Sequence, residues 1–241
     1  MTKPPVATIM HPMARRLLPL VLTFAAACGG AAGIVVPRPA AFVPGSPDSA
    51  QAWARATLPS EAREIRFRWQ FRDDQGAAGG RGRIRFALPD SARLDAQGPL
   101  GSGRMAAFVS GDTAIWAQPE NDVKRLVPNY PLFWALLGIV HRPAGQPAVF
   151  RAADPNVVAW RFQAGADTVD YFRSATPNRL VAEVRQAGKR IGLVETIFGP
   201  DGLPATARLI VPSVPARLDI TFSSNLKAKP FATDTWTPPQ P

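Results

Sequence analysis

The sequence predicts a mainly β protein built on a single curved antiparallel sheet of about 11 short strands. Three observations predict it. From Arg63 onward, apolar and polar residues alternate with a period of two. Gly, Pro and Asp turn signals interrupt this alternation again and again, as at Pro89-Asp90, Gly98-Pro99 and Gly111-Asp112. One face of the alternating stretches carries Phe, Trp, Ile and Leu, while the other carries Arg and Gln, so the sheet has one face to bury and one to leave in water.

The elements follow in chain order. Residues 13–28 read MARRLLPLVLTFAAAC. Arg15 and Arg16 form a positive start, and an apolar stretch over 17–27 follows. Spanning a bilayer takes about 20 apolar residues, so this shorter run reads as a signal peptide over 1–27. Its small residues Ala25, Ala26 and Ala27 lead directly into Cys28. The stretch resembles a bacterial lipobox, which implies that Cys28 is the lipidation site and carries acyl chains such as palmitate. Cys28 is also the only cysteine in the chain, and a free thiol would be an odd choice in an oxidising envelope. Residues 28–46 are rich in Ala, Pro and Gly and read as a flexible tether.

Ser46, Pro47 and Asp48 make a helix start, with a cap, a proline at the first position and an acid in the first turn. The spacing of Ala50, Trp53, Ala54 and Leu58 predicts a helix over 47–58. The period then switches to two. Ile65, Phe67, Trp69 and Phe71 alternate with Arg66, Arg68, Gln70 and Arg72. After a Gly-rich turn, Ile84, Phe86 and Leu88 alternate with Arg83 and Arg85, which predicts a long hairpin. Further strands are expected over 91–97, 103–110, 112–118, 156–163, 167–174, 178–186, 189–198, 205–211 and 215–222. Between them, 120–127 suits one or two helical turns, and 131–140 is the most apolar run outside the signal. Residues 223–241 form a Pro-rich tail, with Phe231 and Trp236 as candidate anchors.

Composition narrows the function. Of 241 residues, 46% are hydrophobic, enough for a core. The formal charge is +10, from 28 Lys and Arg against 18 Asp and Glu. A basic surface suits anionic lipid or nucleic acid. No nucleic-acid recognition motif accompanies the arginines, and a signal peptide directs the chain out of the cytoplasm, so no nucleic-acid partner is expected. The simplest reading of Arg66, Arg68, Arg72, Arg81, Arg83 and Arg85 is a solvated outer face; the sharper one is contact with anionic lipid headgroups. With one Cys and two His there is little material for a metal site. His141 has no nucleophile-elbow motif to serve, and the Gly-rich turn at 76–82 lacks the Lys and helix of a phosphate loop. No catalytic residue, metal or cofactor is expected, and the chain reads as a non-enzyme.

This layout resembles the LolA/LolB lipoprotein-carrier superfamily and is most similar to its outer-membrane receptor branch, LolB. The residues that carry the resemblance are Pro99, Leu100 and Gly101 after a strand, and the run WALLG at 134–138 in a mid-chain helix. The resemblance implies an unclosed β-barrel over 47–222 with short α-helices as a lid. It implies an apolar cavity for acyl chains, lined by Ile65, Phe67, Trp69, Phe71, Ile84, Phe86, Leu88, Trp116, Trp160 and Phe162. Phe133, Trp134, Leu136 and Leu137 would form the lid, and Leu100 would contact the membrane. The implied partners are the acyl chains of lipoproteins or lipids, the anchoring membrane and a periplasmic carrier protein. The implied location is the inner leaflet of the bacterial outer membrane. The competing expectation is an envelope scaffold lipoprotein with a fully packed interior and protein partners.

Overall fold

The structure is a computed structural model, and it describes residues 33–99, 103–121, 129–213 and 215–238. Cys28, Leu100 and the segment 122–128 lie outside the described residues.

The long hairpin forms as its alternation requires. Strand β2 (Arg63–Asp73) pairs with β3 (Gly76–Ala87) in one unbroken antiparallel register, with Ile65 opposite Ile84 and Phe67 opposite Gly82. Asp73 Oδ1 ties the turn by accepting the backbone N–H groups of Gln75 and Gly76 at 3.0 and 3.1 Å. The meander continues through β4 (Ser91–Gln97), β5 (Arg104–Ser110) and β6 (Thr113–Gln118).

A second meander runs from β7 (Ala148–Ala152) through β8 (Val158–Ala164), β9 (Asp167–Ala175), β10 (Asn178–Gln186), β11 (Lys189–Phe198) and β12 (Pro204–Val211) to β13 (Ala216–Lys227). Pairing of β13 with β2 joins the two meanders, setting Leu218 beside Phe71 and Ile220 beside Trp69. A short strand β1 (Phe42–Pro44) adds to β7. The result is one 13-stranded sheet in the order β1-β7-β8-β9-β10-β11-β12-β13-β2-β3-β4-β5-β6. The two strands beyond the expected 11 are β1 and β7, whose few residues are too short to show a period. The order does not return on itself, so β1 and β6 remain edges and the barrel stays open.

Two helices serve the concave side. Helix α1 (Pro47–Arg55) starts as expected, with Ser46 Oγ accepting the N–H of Ser49 at 3.4 Å. It stops short of residue 58 because Thr57 Oγ1 donates to the carbonyl of Ala54 at 2.7 Å and the last N–H groups reach back only three residues. Helix α2 (Tyr130–Leu136) lies in the connection from edge strand β6 to β7. A connection between the two sides of an open sheet must cross its mouth, and this one carries the chain's most apolar run with it.

The terminal segments cover the convex side. Ile34, Val36 and Phe42 pack with Val157 against the outward side chains of Ala152, Ala159, Phe172, Val181 and Leu193. Arg38 reaches the buried Glu183 at 2.7 Å. From Ile34 onward, therefore, the stretch expected as a tether is a strap fastened to the sheet. At the other end, 223–227 prolong β13, and a 3₁₀ turn at Thr233–Trp236 lies over β4–β6.

Candidate functional site

The concave face collects most of the expected apolar side chains. Ile65, Phe67, Trp69, Phe71, Ile84, Phe86 and Phe162 all point inward and are buried. Trp160 also faces inward, partly buried, with its ring 6.2 Å from that of Trp53 on α1. Two residues depart from the expected set. Leu88 lies just past the end of β3 and is 50% exposed, because the alternation that would turn it inward ends with the strand. Trp116 faces outward. It pairs across β5 with Phe108, lies beneath the guanidinium of Arg93 and donates its Nε1–H to the carbonyl of Trp236 at 2.8 Å. Its apolar ring is covered by the C-terminal strap, so burial came from outside the barrel and not from within.

Sequence reasoning left out several inward residues. Leu218 and Ile220 alternate with Arg217 and Asp219 in the same way as β2, so their signal was readable. Met105, Leu94 and Tyr171 complete the lining, and nothing local marks them for that face.

Helix α2 sits within this concavity as a plug. Leu132, Trp134 and Ala135 are fully enclosed, and Phe133, Leu136 and Leu137 nearly so. Its close approach to the sheet depends on Gly192 of β11: a Cβ there would lie 2.4 Å from Leu132 Cδ1. Gly138, at φ +75°, ends the helix in a conformation that favours glycine.

A few polar contacts hold the plug. Thr196 Oγ1 donates to the carbonyl of Ala135 at 2.6 Å. Trp134 Nε1–H donates to the carbonyl of Gly111 in the β5–β6 turn at 2.9 Å. The next residue of that turn, Asp112, has its Oδ1 2.7 Å from His141 Nε2, and the His141 ring stacks on Trp134. The Tyr171 hydroxyl donates to the carbonyl of His141 at 2.8 Å and accepts its N–H at 3.2 Å. Burial pushes the Tyr171 phenol well above its ordinary range, so it stays a neutral donor. His141 is thus the clasp between the β5–β6 turn and β9.

With the plug in place, the interior void is about 40 Å³, lined by residues that include Phe67, Trp69, Ile84, Met105, Phe133 and Leu136. Ligand pockets are usually about 300–1,000 Å³. The void is wholly apolar in its lining and, with α2 in place, far below that size.

The convex face divides by charge. On β8–β13 the arginines meet carboxylates, except Arg173, which donates to Asn178 Oδ1 and lies over the Phe198 ring. Arg161 binds the buried Asp170 through two contacts of 2.7 Å. Arg208 and Arg217 share Asp219, and Arg179 holds Glu195. Glu183, fully enclosed, takes Arg38, Arg185 and Arg190. Burial pushes the Glu183 carboxyl up, but the hydrogen bond and charge of Arg190, with Arg38 and Arg185, outweigh it and hold the group below its ordinary value. Asp219 is held low by the same balance, through Arg217 and Arg208. On β2 and β3, by contrast, Arg68, Arg72 and Arg81 have no carboxylate partner among the described residues. Among the described residues, no group of three His, Cys, Asp or Glu could hold a metal ion, and no helix is long and apolar enough to cross a membrane.

No protein-family model and no curated protein matches the chain. Solved structures do. A LolA superfamily protein from Nitrosomonas europaea matches at a TM-score of 0.52 and 11% identity, covering 79% of this chain and 97% of that one. A domain assigned to outer membrane lipoprotein sorting, from Vibrio parahaemolyticus, matches at a TM-score of 0.53 and 8% identity, covering 78% and 94%. At these identities the likeness is one of fold. The chain has the LolA superfamily fold, and the comparisons do not single out LolB within it.

Proposed function

We propose that this protein binds single acyl chains of lipoproteins or lipids in its concave face when α2 withdraws. The work is non-covalent. The observation that carries the reading is the plug itself: an apolar helix, borne on the one connection that crosses the open mouth, fills a concavity lined by aromatic and aliphatic side chains. Replacing it is energetically plausible. Burying the side chains of Leu132, Phe133, Trp134, Leu136 and Leu137 contributes about 8–15 kcal/mol, and burying an acyl chain of about 14 carbons contributes about 11 kcal/mol. Helix and chain are therefore near-equal competitors for one space, which lets the protein both take up and release its cargo.

The remaining parts of the proposal follow the resemblance. Cys28 is the lipidated anchor, the protein faces the periplasm from the inner leaflet of the outer membrane, and a periplasmic carrier delivers the cargo. Leu100, in the β4–β5 loop, is the membrane contact.

The 40 Å³ void favours a second reading, an envelope scaffold whose packed interior never opens and whose partners are proteins. One experiment separates the two. Uptake of a fluorescent acyl probe is measured on the wild type and on Gly192→Ala, whose new methyl pushes against Leu132. The carrier reading expects saturable uptake by the wild type and stronger uptake by the variant. No uptake by either, in folded protein, leaves the scaffold.

A further inference from the structure

A groove of about 410 Å³ runs along β3, β4 and β5, bordered by Arg66, Arg81, Arg83 and Arg104. Its lining holds a single acid, Asp95, which Arg85 and Arg93 already engage at 2.9 Å each. Arg66 and Arg83 share Glu64, at 3.2 and 3.8 Å. Arg81 and Arg104 are exposed and have no carboxylate partner among the described residues. The groove is therefore cationic beyond what its own acids neutralise. Two residues of its lining, Ala96 and Met105, turn their side chains to the interior void, so the sheet there separates groove from void by a single layer.

We propose that this groove docks the phosphate of an anionic membrane lipid, and so turns the wall formed by Ala96 and Met105 toward the bilayer surface. Charge complementarity selects the ligand. Guanidinium groups match phosphate oxygens in a bidentate fork, and four of them line one groove. A single-stranded nucleic acid would want aromatic platforms for its bases, and the groove lining contains none. Docking goes beyond acyl binding. It places the interior next to the source of chains, and it holds or fails independently of whether the interior opens.

The test is co-sedimentation of the full chain with phosphatidylcholine vesicles, with and without phosphatidylglycerol. The N-terminal segment, with its basic Lys3, Arg15 and Arg16, is the same in wild type and variants, so the difference between them isolates the groove. The wild type should prefer the anionic vesicles, and salt should erase the preference. Each basic residue near an anionic surface is worth about fivefold in binding, so Arg81→Glu with Arg104→Glu should weaken it by roughly 25-fold or more. Arg81→Lys with Arg104→Lys should keep most of it. The charge-matched pair Arg55→Glu and Lys189→Glu, at the end of α1 and the start of β11, should also keep most of it. Circular dichroism confirms that the variants fold.

Three results overturn the proposal: a wild type indifferent to vesicle charge, an equal loss in the charge-matched pair, or displacement by inorganic phosphate or an oligonucleotide as effective as by lipid. Acyl-probe uptake is measured on the same variants. Docking lost with uptake intact bears on the groove alone, and uptake absent with docking intact sinks only the acyl-binding reading.

Discussion

The two halves of the sheet are built from the same residue types and use them in opposite ways. Strands β8–β11 are covered on both sides. The plug α2 lies on the inner face of this half, and the N-terminal strap lies on the outer face of β8–β11. The arginines of β8–β13 other than Arg173 are taken by Asp170, Glu183, Glu195 and Asp219. Strands β2–β5 border the void inside and leave Arg68, Arg72, Arg81 and Arg104 exposed outside. A uniform arginine bias would load both halves alike. Acids are present on both halves, since Glu64 and Asp95 take Arg66, Arg83, Arg85 and Arg93; the difference is one of depth, because Asp170 and Glu183 are enclosed while Glu64 and Asp95 stay partly exposed.

The comparison is broken hardest at Glu183. Glu183→Ala leaves three arginines around an empty site and frees the strap at Arg38, and removing one partner of a buried ion cluster costs about 3–5 kcal/mol. Urea denaturation at neutral pH reads this directly. The same group sets a pH dependence. Glu183 and Asp219 are both held below their ordinary values, so their contribution is complete above about pH 5. It is lost as pH falls through the folded-state values. The wild type should lose stability on acidification, and Glu183→Gln, weaker at pH 7, should show a flatter curve. Parallel curves would mean that Glu183 is not the titrating group.

The inner layer of the covered half is tested by Gly192→Ala. A methyl forced against Leu132 should cost about 1–3 kcal/mol, read as a lower thermal midpoint. An unchanged midpoint would mean that α2 already yields freely. On the other half, Trp236→Ala removes the ring that lies tilted 5.2 Å from Phe108 and 5.8 Å from Phe231, while the backbone carbonyl that accepts from Trp116 stays. Since that ring is only partly buried, a loss of roughly 1–2 kcal/mol is expected. Arg68→Gln should change stability by less than about 0.5 kcal/mol, because the side chain holds nothing. A loss as large as that of Glu183→Ala would end the distinction between the halves.

Legibility followed the same division. Strands β2 and β3 could be read residue by residue, since one face is wet and the other dry and the period of two survives intact. In β10 the alternation of Leu180, Ala182 and Val184 with Glu183 and Arg185 still gave the inward face, but β9 could be located and not oriented. In Val169, Asp170, Tyr171 and Phe172 every residue is buried, Tyr171 against the interior and Phe172 against the strap. Trp116 was expected inside because a large aromatic residue needs cover, and the cover came from Trp236, far along the chain. The run over 131–140 announced an apolar helix, but whether it lay over the cavity or filled it depended on the size of the concavity.

The sequence by itself determined the fold class, the long arginine-faced hairpin, the start of α1, the apolar mid-chain unit and the inward set from Ile65 to Phe86. These follow from period, capping and turn chemistry, which act between neighbours along the chain. Only the tertiary structure decided the joining of β13 to β2, the two straps, the depth of the plug and which arginines found acids. Each of these depends on groups distant in sequence coming within a few ångströms, and burial by a distant segment leaves no mark on local periodicity.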